Sequence, residues 1–226
     1  MVRRLTHIIL TSGVFFILLS GCEKGEDPPP PVTDVDGNVY ETVMIGNQVW
    51  MAENLRTTRL NDGSEIKLIE KNQEWNKTSD PALCWYNNDS SLFKVPYGAL
   101  YNGYAATDEK ICPAGWHVPD NEEWEQLIVF LGDSETAGGK LKVEGLSQWH
   151  SPNTGADNSS SFSALPAGMR YFEGSFSSLS YFTAYWSVNE ADNASHYFIS
   201  LSYLDSKANF SSKSKKHGFS IRCIRD

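Results

Sequence analysis

The apolar positions divide the chain into stretches of different period. Trp124, Leu127, Ile128 and Leu131 recur at i, i+3, i+4 and i+7, the stripe of a helix that buries one face. Asp120 stands where its carboxylate can cap that helix, and Glu123, three residues on, completes a capping box. Glu122 and Glu125 fall in the first turns, where the helix dipole favours acids, and Gly132 ends the run. A second short helix is expected from about Ser134 to Val143, weakened by Gly138-Gly139, and a third short one around Leu100–Ala106. Near the start, VYETVMI and QVWMAENL flank Gly46-Asn47, which predicts a hairpin with that pair at its tip. After Gly145 the period shortens. FSALPAGMRY, SYFTAYWSV, HYFISLSYL and GFSIRCIRD alternate with Gly, Asn and Pro, as strands of an antiparallel sheet with long loops do. Helices first and strands afterwards predict α+β organisation.

The amino terminus reads differently. Arg3 and Arg4 precede a largely apolar run, Leu5 to Leu19, too short for a comfortable membrane span. Leu19-Ser20-Gly21-Cys22 resembles a bacterial lipobox, so residues 1–21 are expected to be a signal peptide and Cys22 the site of lipidation. Several acyl chains, at about 0.8 kcal/mol per buried methylene, anchor a protein to a membrane that it does not span. Residues 22–32 are charged and then proline-rich, the composition of a polyproline II tether. The acids just after Cys22 resemble the signal that sends lipoproteins of Bacteroidetes-type bacteria to the outer cell surface. The expected location is therefore a lipid-anchored outer membrane, at the cell surface.

Residues 33–226 contain no further linker, repeat or low-complexity tract, which suits one domain. The whole chain carries 19 basic and 28 acidic residues. Without Arg3 and Arg4 the balance is 17 against 28, or −11, which disfavours nucleic acid as a partner. The run from Lys207 to Arg225 holds six basic residues and no acid, and reads as a solvated loop beside a strand.

Candidate chemistry is thin. The stretch ICPAGWHVPDNEEWEQL gathers a cysteine, a histidine and four acids, the raw material of an active or metal site and equally of a disulfide, a proline turn and a capped helix. His117 reads as a packed turn histidine that needs one hydrogen bond. His150, His196 and His217 show no metal-ligand spacing, and there is no GxSxG, HExxH or phosphate loop. Glu122 and Glu123 are adjacent on a helix and point apart, unlike the facing carboxylates of a glycosidase. DVDGN opens like a calcium loop, but Val39 and Ile45 stand where an EF-hand needs glycine and glutamate. No metal and no cofactor are expected. Cys84, Cys112 and Cys223 allow one bridge with one thiol left over. Rings crowd residues 171–186, and most belong to a core by two-residue alternation. Tyr181, Tyr185 and Trp186 are the candidate ligand surface.

DGNVYETVMIGNQVWMAENLRTTRLNDG, CWYNND, YGALYNGYA, CPAGWHVPDNEEWEQL, AGGKLK, FSALPAGMR, YWSVNE and GFSIRCIRD together resemble a bacterial family named for the major paralogous domain of Fibrobacter succinogenes. They follow the family's order over nearly all of residues 35–226. Gly103 and Met169 depart from it, where a tryptophan and a tyrosine would be expected. The resemblance implies a C-type-lectin-like fold in a single domain, with the early hairpin beside the last strand. It also implies a disulfide between Cys112 and Cys223. Sugar-binding lectins of that fold hold calcium, but Ser151-Pro152-Asn153 and Trp186-Ser187-Val188-Asn189 lack the carboxylates the ion needs. Asp157 and Asn158 read as turn residues. The fold also houses formylglycine-generating oxidases, which use reactive cysteines late in the domain; here only Cys223 lies late. The expected function is non-catalytic: binding or display of a glycan or protein ligand at the cell surface. A structural envelope component and a lectin-fold enzyme are the alternatives.

Overall fold

The computed structural model describes residues 29–226. The expected signal peptide, the expected lipidation site Cys22 and most of the expected tether lie outside the described residues. Two short strands come first, β1 (Val32–Thr33) and β2 (Val39–Tyr40), paired antiparallel. Asp34 organises the turn between them: its carboxylate accepts from the Asp36 and Asn38 amides, the Asn38 side chain and the Tyr40 hydroxyl. Asp36 accepts from Thr58 and Arg59. Both carboxylates of the calcium-like sequence are thus engaged by protein donors. The tether's boundary also shifts, because Val32 lies in β1 and Pro29 and Pro30 accept hydrogen bonds from Thr42.

β3 (Thr42–Ile45) and β4 (Gln48–Met51) form the predicted hairpin, and Gly46 at its tip has φ +63°. There follow β5 (Lys67–Leu68), α1 (Asn72–Lys77), β6 (Ala82–Cys84), α2 (Ser90–Tyr97), β7 (Leu100–Asn102), α3 (Gly103–Ala106) and β8 (Trp116–His117). The expected helix around Leu100–Ala106 is therefore half strand and half helix. α1 and α2 were not anticipated: α1 is polar except for buried Trp75, and α2 contains Pro96 and buries no residue. α4 (Asn121–Phe130) and α5 (Ala137–Leu141) are the two helices that were. The rest is strand: β9 (Met169–Arg170), β10 (Phe176–Ser177), β11 (Phe182–Asp192), β12 (Ser195–Ser202), β13 (Asn209–Ser214), β14 (Gly218–Phe219) and β15 (Ile224–Arg225).

The described residues are thus mixed α and β, mostly sheet with a few short helices. The sheets run β10-β9-β14-β7-β6-β5, β11-β12-β13 and β3-β4-β15-β8, besides the β1-β2 pair. Two features correct the expected layout. Strands interleave with the helices before residue 145, and β5 pairs parallel to β6 within sheets that are otherwise antiparallel. Last strand and early hairpin do lie together, through Ile224 opposite Trp50. None of the helices among the described residues is long and apolar enough to cross a membrane.

Two aromatic cores flank β11. On one side Trp50 and Trp124 meet at 4.7 Å between ring centres, with Phe162 and Tyr185 against them. On the other, Trp186 packs on Phe219 at 4.6 Å and donates its indole N–H to the Tyr101 carbonyl. The Cys112–Cys223 disulfide is buried in this second core. It ties the turn that enters β8 and α4 to the segment that enters β15.

Candidate functional site

The helix that follows the disulfide is built as its residues predict. Asp120 Oδ1 accepts the Glu123 amide at 2.8 Å, and Glu123 Oε2 accepts the Asp120 amide at 2.9 Å. Trp124, Leu127, Ile128 and Leu131 are buried. Glu123 has a further partner. His117 Nε2 lies 2.8 Å from its Oε1, while His117 Nδ1 lies 2.6 Å from Asp226 Oδ1. His117 therefore makes two carboxylate contacts rather than the single bond expected of a turn histidine. Partial burial opposes its charge, but the Asp226 and Glu123 carboxylates outweigh burial and raise its pKa. Protonated, the imidazolium donates to both carboxylates and pins the α4 N-terminus to the chain beyond β15. Because the folded pKa stands above the unfolded value, this stabilisation is full below about pH 6.5 and is lost as pH rises through the folded pKa. In His117→Gln the melting temperature should lose that pH dependence between pH 6 and 9. The groups are partly exposed, so the difference should stay within about 1 kcal/mol; a wild-type profile parallel to the variant's excludes the assignment.

The candidate ligand surface divides. Tyr185 and Trp186 are 1% and 0% exposed, which corrects the expectation that they face a ligand. β11 is covered on both faces, so its alternation sends Tyr185 into one core and Trp186 into the other, and neither reaches solvent. Tyr181, just before β11, is 41% exposed. It stacks on His150 at 4.6 Å with 24° between planes, and Tyr203 meets it edge-on at 5.0 Å. Backbone bonds hold this ledge: His150 N–H donates to Ser180 O at 2.7 Å, and Tyr203 N–H to Tyr181 O at 3.1 Å. His150 and Tyr203 come from distant loops, and nothing in the local sequence signals their meeting with Tyr181.

Lys142 sets the floor beneath the ledge. Its side chain is fully buried, and the ammonium donates to the carbonyls of Thr154, Ser202 and Asp205 at 2.7–3.0 Å. Burial pulls its pKa down to about 8, against the pull of Asp205. Thr154 N–H in turn donates to Tyr203 O, so this lysine fixes the loop that carries the ledge. Arg222 is buried too, with Phe162 and Tyr185 at 4.1 and 5.2 Å and Asn54 accepting from Nη2. Both cations work within the protein interior.

His196 and His217 lie far from this ledge in the fold's strands and turns. Burial, and then the charge of Lys215, lower the pKa of His196, against the pull of the Ser187 and Asn189 backbone and of Glu190. Asp157 Oδ1 accepts the Ser159 amide, the turn role expected of it. No group of three or more His, Cys, Asp or Glu side chains among the described residues is arranged to hold a metal.

Against known proteins, the family model of the Fibrobacter succinogenes major domain matches residues 43–225. No curated protein and no solved structure matches.

Proposed function

The chain belongs to the Fibrobacter succinogenes major domain family, and from that premise we propose a non-catalytic, lipid-anchored protein of the cell envelope. Its C-type-lectin-like domain binds a glycan or protein ligand at the cell surface. The pairing of β4 with β15 and the bridge from the α4 entry to the last strand support that fold. Thiol chemistry of the formylglycine-generating type is disfavoured by the state of the cysteines. Cys112 and Cys223 are bonded to each other, and burial pushes the Cys84 thiol up to about 12. The observation that carries the reading is the ledge. Tyr181 presents a ring stacked on His150 and braced by Tyr203. A rigid exposed aromatic face suits the C–H face of a sugar or an apolar side chain of a partner protein.

Detergent-solubilised full-length protein should be applied to an array of glycans and polysaccharides, with calcium and with chelator. The expected result is binding that chelator leaves unchanged and that Tyr181→Ala weakens at least about tenfold, in keeping with loss of a central aromatic contact. Binding that requires calcium would overturn the role of the ledge. Silence from folded protein would replace the glycan reading with a protein partner or a structural role in the envelope.

A further inference from the structure

We propose that the charge on Lys142 holds the ledge in the shape that meets a ligand, and that loss of the ammonium proton opens the ledge while the domain stays folded. The inference rests on the ledge as the binding site and names the residue that positions it.

Lys142 follows α5, is fully buried, and gives its three hydrogen bonds to main-chain carbonyls. Ser202 O and Asp205 O lie on either side of Tyr203 in the chain, at 2.8 and 2.7 Å from Nζ. Thr154 O, at 3.0 Å, belongs to the loop that starts at His150. The ammonium also lies 5.4 Å from the ring centre of Trp149, the residue before His150. The same segments are linked to one another. Thr154 N–H donates to Tyr203 O, Tyr203 N–H to Tyr181 O, and His150 N–H to Ser180 O. One buried cation thus grips both loops that bring His150 and Tyr203 to Tyr181.

The grip depends on charge because of the count of donors. An ammonium carries three N–H bonds and no acceptor, whereas a neutral amine has two N–H bonds and a lone pair. With three carbonyls around Nζ, the neutral amine leaves one of them facing that lone pair, and the two repel. Releasing Ser202 or Asp205 frees the turn that carries Tyr203; releasing Thr154 frees the loop that carries His150. The attraction to the Trp149 ring is lost as well. Asp205 is the charged group that faces the ammonium and favours its proton, but burial outweighs it and brings the pKa to about 8. An unfolded lysine titrates at about 10.4. Between these values the folded chain binds fewer protons than the unfolded one, so its stability rises with pH. The proton therefore leaves an intact domain, and the change is confined to the loops.

The test reads the ledge without a ligand, so its outcome is independent of the glycan array. Detergent-solubilised full-length protein with isotope-labelled lysine, histidine and tyrosine is followed by NMR from about pH 7 to 9.5, a range that spans the Lys142 titration. The Lys142 Cε signal, assigned by its absence from Lys142→Met, reports the charge. Nuclear Overhauser contacts between the carbon-bound ring protons of His150, Tyr181 and Tyr203 report the ledge. These contacts should fall at least about twofold, in step with the loss of the Lys142 proton near pH 8. Lys142→Arg keeps its charge throughout and should hold them at both ends of the range. Lys142→Met should show the weakened contacts at neutral pH already. Contacts that persist after Lys142 has titrated overturn the proposal, as does a lysine still charged at the alkaline end. A loss of equal size in Lys142→Arg would trace the opening to the tyrosine hydroxyls and overturn it too. Where the arginine variant does not fold, Lys142→Met decides: wild-type contacts at neutral pH overturn the proposal. Each of these failures leaves Tyr181 standing as a ligand contact, whereas silence on the array leaves the hold of Lys142 on its loops intact.

Discussion

Cys112→Ser and Cys223→Ser should each lower the stability of the domain by about 4–5 kcal/mol, the chain-entropy cost of opening a loop of this length. The two cysteines are 111 residues apart in sequence, so without the bridge the unfolded chain gains the freedom of half its length. For a domain of this size the loss corresponds to a fall in melting temperature on the order of 10–15 °C. Both sulfurs sit in the core that contains Trp186, Phe198 and Phe219, and each serine leaves a polar group there in addition. Reduction should bring wild type down to the level of the variants and leave the variants unchanged. Cys84→Ala is the control. Its thiol only approaches the Leu100 carbonyl at 3.7 Å, and the expected loss is about 1 kcal/mol. Variants that melt with wild type would show that the bridge adds nothing to stability.

Arg170→Met should cost on the order of 3 kcal/mol, although methionine nearly fills the same space. Arg170 is 0% exposed and faces no carboxylate. Its Nε donates to Gly174 O, Nη1 to Ile69 O, and Nη2 to Glu70 O and Asn72 Oδ1. The guanidinium plane lies 4.5 Å from the Trp75 ring centre and 4.8 Å from that of Phe176. Methionine removes a buried charge, which is favourable, but strands the buried carbonyls of Gly174 and Ile69, each costing about 1–3 kcal/mol, while the Glu70 carbonyl keeps the Asn88 side-chain amide as a donor. Arg170→Lys should fare nearly as badly, since an ammonium has neither the flat fork nor its spread of donors. Urea unfolding should show a lower midpoint with an unchanged slope. An unfolding free energy within about 1 kcal/mol of wild type for the methionine variant would mean that the carbonyls find other donors.

The boundary between legible and illegible features follows the range of the forces involved. α4 was legible because its cap, its dipole-facing acids and its buried stripe all act within ten residues. The β3-β4 hairpin was legible for the same reason, through Gly46-Asn47. α2 was not, since Pro96 stands inside it and its Phe93 and Tyr97 are covered only in part, by residues from elsewhere in the fold. Gly138 and Gly139 look like helix breakers, yet α5 forms around them. A Cβ on Gly138 would lie 2.1 Å from Lys207 O, and one on Gly139 2.3 Å from Gly155 O. Their lack of a side chain lets two loops touch the helix backbone, a requirement set by residues far away in sequence.

Tyr181, Tyr185 and Trp186 show the same limit at the candidate site. Alternation along β11 separates Tyr185 from Trp186, but only the presence of a core on each side of the strand decides that both are buried. Exposure of Tyr181, and its stacking on His150, depend on loops that Lys142 holds together from the inside. By itself, the sequence determined what short-range physics controls: the capped helix, the hairpin, the acidic balance and membership of a family. The tertiary structure alone decided which rings meet solvent and where Arg170 and Lys142 find their carbonyls. It also decided that His117 joins two carboxylates, because those contacts bring together groups up to 109 residues apart.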